Sequence, residues 1–108
     1  MTDQELLEFA AKAAGYDFIT VEEHDTGDWI AAWKGRESID WNPLIDDGDA
    51  FRLMVKLSLG VSIPVHKTIC ADVICFLNSS VNVREEGGNR YAATRRAIVR
   101  AAAEIGRG

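Results

Sequence analysis

Residues Ile69-Cys70-Ala71-Asp72-Val73-Ile74-Cys75-Phe76-Leu77 are apolar at every position but one, Asp72. Side chains alternate between the two faces of a strand, so a strand with one wet face alternates in polarity as well. One that is apolar on both parities is usually covered on both faces. The run therefore predicts a central strand with a layer packed on each side. The chain that must provide those layers has 108 residues, 47% of them hydrophobic, enough for one core and too few for two. Only Pro43 and Pro64 are prolines, and no linker-like composition, internal repeat or low-complexity tract divides the sequence. Residues 1–108 are expected to form a single domain.

The covering layers are legible on either side of that run. Thr2-Asp3-Gln4-Glu5 has the form of a capping box, in which hydroxyl and carboxylate satisfy each other's backbone amides. Leu6, Phe9, Ala10, Ala13 and Ala14 follow at helical spacing and Gly15 supplies a left-handed stop, which predicts a first helix over 3–14. Tyr16 to Val21 is rich in aromatic and β-branched residues and reads as a strand ending near Glu23. Turn chemistry at Asp25-Thr26-Gly27-Asp28 predicts a hairpin into Trp29-Ile30-Ala31-Ala32-Trp33. After a turn at Lys34-Gly35-Arg36-Glu37 the chain is expected to cross through Ile39 and Trp41 to Asn42-Pro43-Leu44. Asp46 or Asp47 can cap a second helix over roughly 48–59, with Ala50, Phe51, Leu53, Met54, Leu57 and Leu59 on a wide apolar side and Gly60 ending it.

Val61-Ser62-Ile63 begins a third strand, which Pro64 marks as an edge or bulge position. Asn78-Ser79-Ser80 reads as a turn, Val81-Asn82-Val83 as a short fifth strand and Glu86-Gly87-Gly88 as a loop. Asn89 can cap a last helix over about 90–105, with Ala93, Ala97, Ile98, Ala101, Ala102 and Ile105 inward and Gly106 at its C-terminal stop. The order α-β-β-α-β-β-(β)-α predicts an α+β fold, a three-layer α/β/α sandwich. Its mainly antiparallel sheet has four to five strands and its helices number three.

Charge and chemistry exclude several functions. The net charge is −5. Residues 1–83 carry six basic and fourteen acidic side chains, a balance of −8, whereas residues 84–108 carry six arginines and three glutamates, a balance of +3. An acidic body disfavours nucleic acid, whose phosphates dominate affinity. No apolar run approaches the ~20 residues of a membrane span. Asp3, Glu5 and Glu8 stand where a secretory leader needs basic and apolar residues, which makes the cytoplasm the expected location. Cys70 and Cys75 have opposite strand parity, so buried free thiols are the plainer reading than a disulfide or a shared metal. His24 and His66 are the only imidazoles. His66-x3-Cys70-x4-Cys75 lacks a second metal-binding pair, and no Ser or Cys has a base and an orienting acid at suggestive spacing. Neither a catalytic residue, a metal site nor a cofactor is expected.

Two segments have the makings of binding sites. Trp41, Asn42, Asp46, Asp47, Asp49 and Arg52 form the first. Its three carboxylates do not have the alternating spacing and distant glutamate of a calcium loop, and capping of the second helix competes with partner contact as their role. Tyr91, Thr94, Arg95, Arg96 and Arg100 on the last helix form the second. Arg96 and Arg100 share a face and Arg95 lies about 100° away. They can hold an anion beside an aromatic ring, or form salt bridges within the chain, such as Arg100 with Glu104.

The stretches Trp41 to Leu53 and Tyr91 to Ala103, together with Thr2-Asp3-Gln4-Glu5-Leu6-Leu7, resemble the phage ABA-sandwich domain family, small proteins of tailed phages and prophages. The resemblance implies a sheet between helical layers, a phage or prophage origin and residence in the infected bacterial cytoplasm. It transfers no catalytic residue. The expectation is a non-enzymatic accessory protein that binds a host or phage protein, with a homo-oligomer through an open strand edge a further possibility. The alternatives are a small-molecule binder that sequesters a nucleotide-type host signal, and an enzyme whose site forms only between subunits.

Overall fold

The computed structural model describes residues 1–24, 27–63, 70–75, 78–87 and 89–108, and for 23–24, 27–29, 70 and 78–80 it describes the backbone alone. The first helix, α1 (Asp3–Ala13), begins as its sequence predicts. The Thr2 hydroxyl accepts the Glu5 N–H at 3.2 Å and the Glu5 carboxylate accepts the Thr2 N–H at 3.2 Å. Gly15, at φ +93°, turns the chain out of the helix, a conformation that costs a side-chain-bearing residue about 1–2 kcal/mol. Leu6, Leu7, Ala10, Ala11 and Ala14 are buried.

Strands β1 (Phe18–His24) and β2 (Gly27–Lys34) pair antiparallel from Phe18↔Trp33 to His24↔Gly27, as the hairpin reading requires. The turn residues Asp25 and Thr26 lie outside the described residues. A third strand, β3 (Glu37–Asp40), pairs antiparallel with β2, where the sequence suggested only a crossing segment. Gly35 at φ +62° and a 2.7 Å bond from its N–H to the Asp17 carboxylate tighten the turn enough for the chain to reverse directly into that strand. On one face of this sheet Ile19, Ile30 and Ala32 meet the core. On the other, the Phe18 and Trp33 rings stack at 6.0 Å and the Trp33 indole N–H donates to the Thr20 hydroxyl at 2.9 Å.

Helix α2 (Asp47–Lys56) is capped by Asp46, whose carboxylate accepts the Asp49 N–H at 2.8 Å. It stops earlier than expected. Ser58 takes the left-handed conformation, φ 55°, so Leu59 and Gly60 open strand β4 (Leu59–Ser62) instead of closing the helix. Strands β4, β5 (Cys70–Cys75) and β6 (Asn78–Glu86) form a second antiparallel sheet in the order β4-β5-β6. β6 is longer than the fifth strand expected, and it absorbs residues 78–80, which had read as a turn. It pairs with β5 from Cys70↔Glu86 to Cys75↔Asn78, and a shift of register between Ile74 and Cys75 takes up the extra residues. Pro64, Ile69, Phe76, Leu77 and Gly88, each assigned a place from sequence, lie outside the described residues.

The chain is thus α+β in a roughly sandwich-like arrangement, with three helices and two antiparallel three-stranded sheets among the described residues. β5 is the central strand of its sheet, but among the described residues only one of its faces is covered. Ala71, Val73 and Cys75 are buried, whereas Ile74 on the opposite face is 43% exposed, flanked across the sheet by Gly60 and Asn82. The expectation of cover on both sides is corrected here. The element packed on both sides is instead helix α3 (Arg90–Arg107), which lies against α1 on one flank and against β4, β5 and β6 on the other. Ala97, Ile98, Val99, Ala101, Ala102 and Ala103 are all buried, more of the helix circumference than a single amphipathic stripe provides.

Asn89 caps α3 by accepting the Ala92 N–H at 3.0 Å. Gly106 does not stop it, since the helix runs on to Arg107. Its hydrogen side chain serves a close approach instead: a Cβ there would collide with the Phe9 carbonyl of α1 and stand 3.2 Å from the Ala13 nitrogen. Small residues along α3 and this glycine let the two helix backbones nearly touch.

Candidate functional site

The clusters read from sequence separate in space and partly recombine. Around the start of α2 the polar groups mostly satisfy one another. Asp46 caps the helix, the Asp49 carboxylate accepts the Asn42 N–H at 2.9 Å and an Arg52 N–H at 2.7 Å, and the Asn42 side-chain oxygen accepts the Leu44 N–H at 3.1 Å. Trp41, a candidate for partner contact, is buried with its ring 5.6 Å from that of Tyr16. It packs the core because it directly follows β3 and its N–H bonds the Ile30 carbonyl. Asp47 and Arg52 remain at the surface.

The arginines of α3 part company. Arg96 pairs with Asp3 at 3.0 Å and lies 3.7 Å from Glu85, and Arg100 pairs with Glu85 and donates to the Arg84 carbonyl at 3.1 Å. Glu104 pairs with Arg107, not with Arg100 as the helical spacing suggested, because strand β6 brings the better placed Glu85 against Arg100. This face ties α1, β6 and α3 together through paired charges. Arg95 turns toward α2. Its side chain bonds the Asp47 carboxylate at 2.7 Å and the Leu44 carbonyl at 2.9 Å. A free anion at any of these arginines would have to displace a carboxylate already in contact.

Arg95 and Asp47 close one end of a groove of about 630 Å³ between α2, β4 and α3. Its walls are Ala50, Phe51 and Met54 from α2, Val61 and the adjoining Ile63 from the β4 side, and Tyr91, Thr94 and Ile98 from α3, with Arg90 at the rim. Phe51 is 60% exposed, Ile63 47% and Tyr91 69%. The polar atoms present are already engaged or peripheral: the Thr94 hydroxyl donates to the Arg90 carbonyl at 2.7 Å, and Asp47 and Arg95 hold each other. Arg90 has no ion-pair partner among the described residues.

Tyr91, Thr94, Arg95 and Asp47 are thus brought together as sequence-identified residues, while Arg96, Arg100, Trp41, Asn42, Asp46, Asp49 and Arg52 are not part of the groove. The residues that give it its character, Phe51, Met54, Val61, Ile63 and Ile98, carried no functional assignment in the sequence. One signal for them was there. The apolar side of α2 is wider than the core consumes, and only Ala50 and Leu53 of that helix are fully buried.

Cys75 is buried as a free thiol with its sulfur 3.6 Å from the Leu57 carbonyl. His66 and the side chains of His24 and Cys70 lie outside the described residues. Among the described residues no group of three His, Cys, Asp or Glu side chains is arranged to hold a metal, and no helix is long and apolar enough to cross a membrane. Comparison with family models, with curated proteins and with solved structures finds no match to the chain.

Proposed function

We propose that this protein acts by binding, without chemistry of its own, and that the groove between α2, β4 and α3 receives an apolar segment of another protein. One observation carries the proposal: Phe51, Ile63 and Tyr91 are exposed side by side around a concavity whose floor is apolar. Large side chains clustered this way mark interaction sites more often than isolated exposed ones do. Among the described residues the groove wall has no convergent pair of free polar groups to act as acid and base, since Asp47 and Arg95 neutralise each other. The likeness of residues 41–53 and 91–103 to the phage ABA-sandwich family supports a phage or prophage accessory protein in the bacterial cytoplasm, with a host or phage protein as the partner.

The groove volume also lies in the range of small-ligand pockets, which favours sequestration of a small anionic molecule, a nucleotide-type signal for example, as the second reading. A paired experiment separates the two. Wild-type protein and Phe51→Asp are used to capture partners from bacterial lysate, with proteins and metabolites both identified by mass spectrometry. Phe51 is largely exposed, so the variant is expected to keep its fold, with stability changed by about 0.5 kcal/mol or less. Protein binding predicts a captured protein that the variant loses. Recovery of a nucleotide, with thermal stabilisation that Arg95→Ala abolishes, would favour the second reading. Capture unaffected by Phe51→Asp would count against the groove altogether.

A further inference from the structure

From the way the groove meets the second sheet, we infer that its occupant is an extended protein segment that adds to β4 as a fourth strand, with apolar side chains at alternate positions and a carboxylate for Arg90. This rests on the groove being a protein-binding site and specifies how it binds. β4 is an edge strand: it pairs with β5 on one side, and among the described residues no strand pairs with its other side. Backbone groups along an unpaired edge are a template for another strand. Among the described residues β1, β3 and β6 have open edges too, but β4 is the edge strand that supplies a wall of the groove.

The side chains of β4 explain what such a strand would contact. Leu59 and Val61 belong to the face of the sheet that packs on the core, Ile63 continues that parity, and Gly60 and Ser62 have the opposite one. The inner face of the sheet lies on α3. Beyond β4 the apolar surface does not end with the sheet. It continues as Tyr91 and Ile98 on α3 and rises as Phe51 and Met54 on α2. Among the described residues no further strand pairs with β4, and the exposed Phe51 and Ile63 line the groove beside that edge. A strand laid there directs every second side chain down into the groove and the others to solvent.

Charge narrows the occupant further. Asp47 and Arg95 compensate each other at one end, which leaves Arg90 as the rim charge without a partner among the described residues. The segment that fits therefore carries a carboxylate next to its apolar positions. A second copy of this chain fits less well, because each copy has a net charge of −5 and like charges oppose association.

The test uses the full chain and a capped heptapeptide, Glu-Val-Thr-Val-Thr-Val-Thr. Two further versions are N-methylated at every valine or at every threonine, each removing the amide donors of one strand edge. A third probe is an amphipathic helical peptide with leucines at helical spacing. Binding is followed through the ring signals of Phe51 and Tyr91, and through amide exchange at residues 59–63. Strand addition predicts slowed exchange in β4, ring shifts at both aromatics, and a loss of about tenfold in affinity for one methylated peptide but not the other. Arg90→Glu should weaken the peptide about fivefold and improve a version with lysine in place of glutamate. Ring shifts with the helical peptide alone, and unchanged exchange in β4, would leave the groove as a binding site and overturn strand addition. Response to neither peptide would overturn both. Concentration-dependent protection of β4 without peptide would replace the proposed segment with a second copy.

Discussion

Gly106 shows how much one hydrogen atom can decide. In an exposed helix, replacing glycine with alanine is usually worth about 1 kcal/mol of added stability, because glycine loses more backbone entropy on folding. Gly106 lies within α3, so propensity alone favours the change. The Phe9 carbonyl occupies the space a methyl group needs, and backbone yields less readily than a side chain. Gly106→Ala is therefore expected to destabilise by about 2–3 kcal/mol, read from denaturant unfolding, and a stabilised variant would refute the close helix contact. Gly35→Ala is the control. It has open space around it but φ +62°, so only the left-handed strain of about 1 kcal/mol should appear. Glu5 gives a second residue-scale prediction. Bonds from the Thr2 N–H and the Thr2 hydroxyl hold its carboxyl below the ordinary value. A depressed carboxyl stabilises the fold above its unfolded pKa, and the contribution is lost as pH falls through the folded one. The melting-temperature gap between wild type and Glu5→Ala should be open at neutral pH and close on acidification below the carboxylate range. A gap independent of pH would mean that the charge on Glu5 does not matter.

At the scale of elements, the apolar run around β5 and the alanines of α3 exchange the roles that sequence suggests for them. Hydrophobic residues on both parities of a strand indicate two covering layers, yet Ile74 faces outward while α3 is enclosed on both flanks. Val73→Ala should accordingly cost about 2 kcal/mol, whereas Ile74→Thr should stay within about 0.5 kcal/mol. Equal losses from the two substitutions in thermal unfolding would show that the outer face is covered after all. What was legible in the sequence is local. Thr2, Asp46 and Asn89 cap the helices their side chains can reach, and Gly15 turns left-handed. What was not legible depends on partners far along the chain. β3 exists because β2 offers it an edge, residues 78–80 join β6 because β5 runs alongside, and Ser58 bends where nothing in its own chemistry demands it. The site divides in the same way. Tyr91, Thr94, Arg95 and Asp47 stood out through charge and aromaticity. Phe51, Met54, Val61 and Ile63 looked like core, yet Phe51 and Ile63 are exposed, while Met54 and Val61 pack partly buried against it.

Over the whole molecule, the charges and the exposed apolar residues divide the surface into different tasks. Arg96, Arg100, Glu85 and Asp3 form a paired network that fastens α1 and β6 to α3. The stacked Phe18 and Trp33 lie on the outer face of the first sheet. Among the described residues the groove joins exposed aromatic residues, an apolar floor, an open strand edge and a cation without an ion-pair partner. Amide hydrogen exchange of the protein alone and with its captured partner tests binding at that place. Binding in the groove predicts slowed exchange concentrated in residues 59–63 and in the neighbouring turns of α2 and α3 around Phe51 and Tyr91, with the Arg96–Arg100 face and the first sheet unchanged. Protection centred on the Arg96–Arg100 face or on the outer face of the first sheet, with residues 59–63 unaffected, would contradict it.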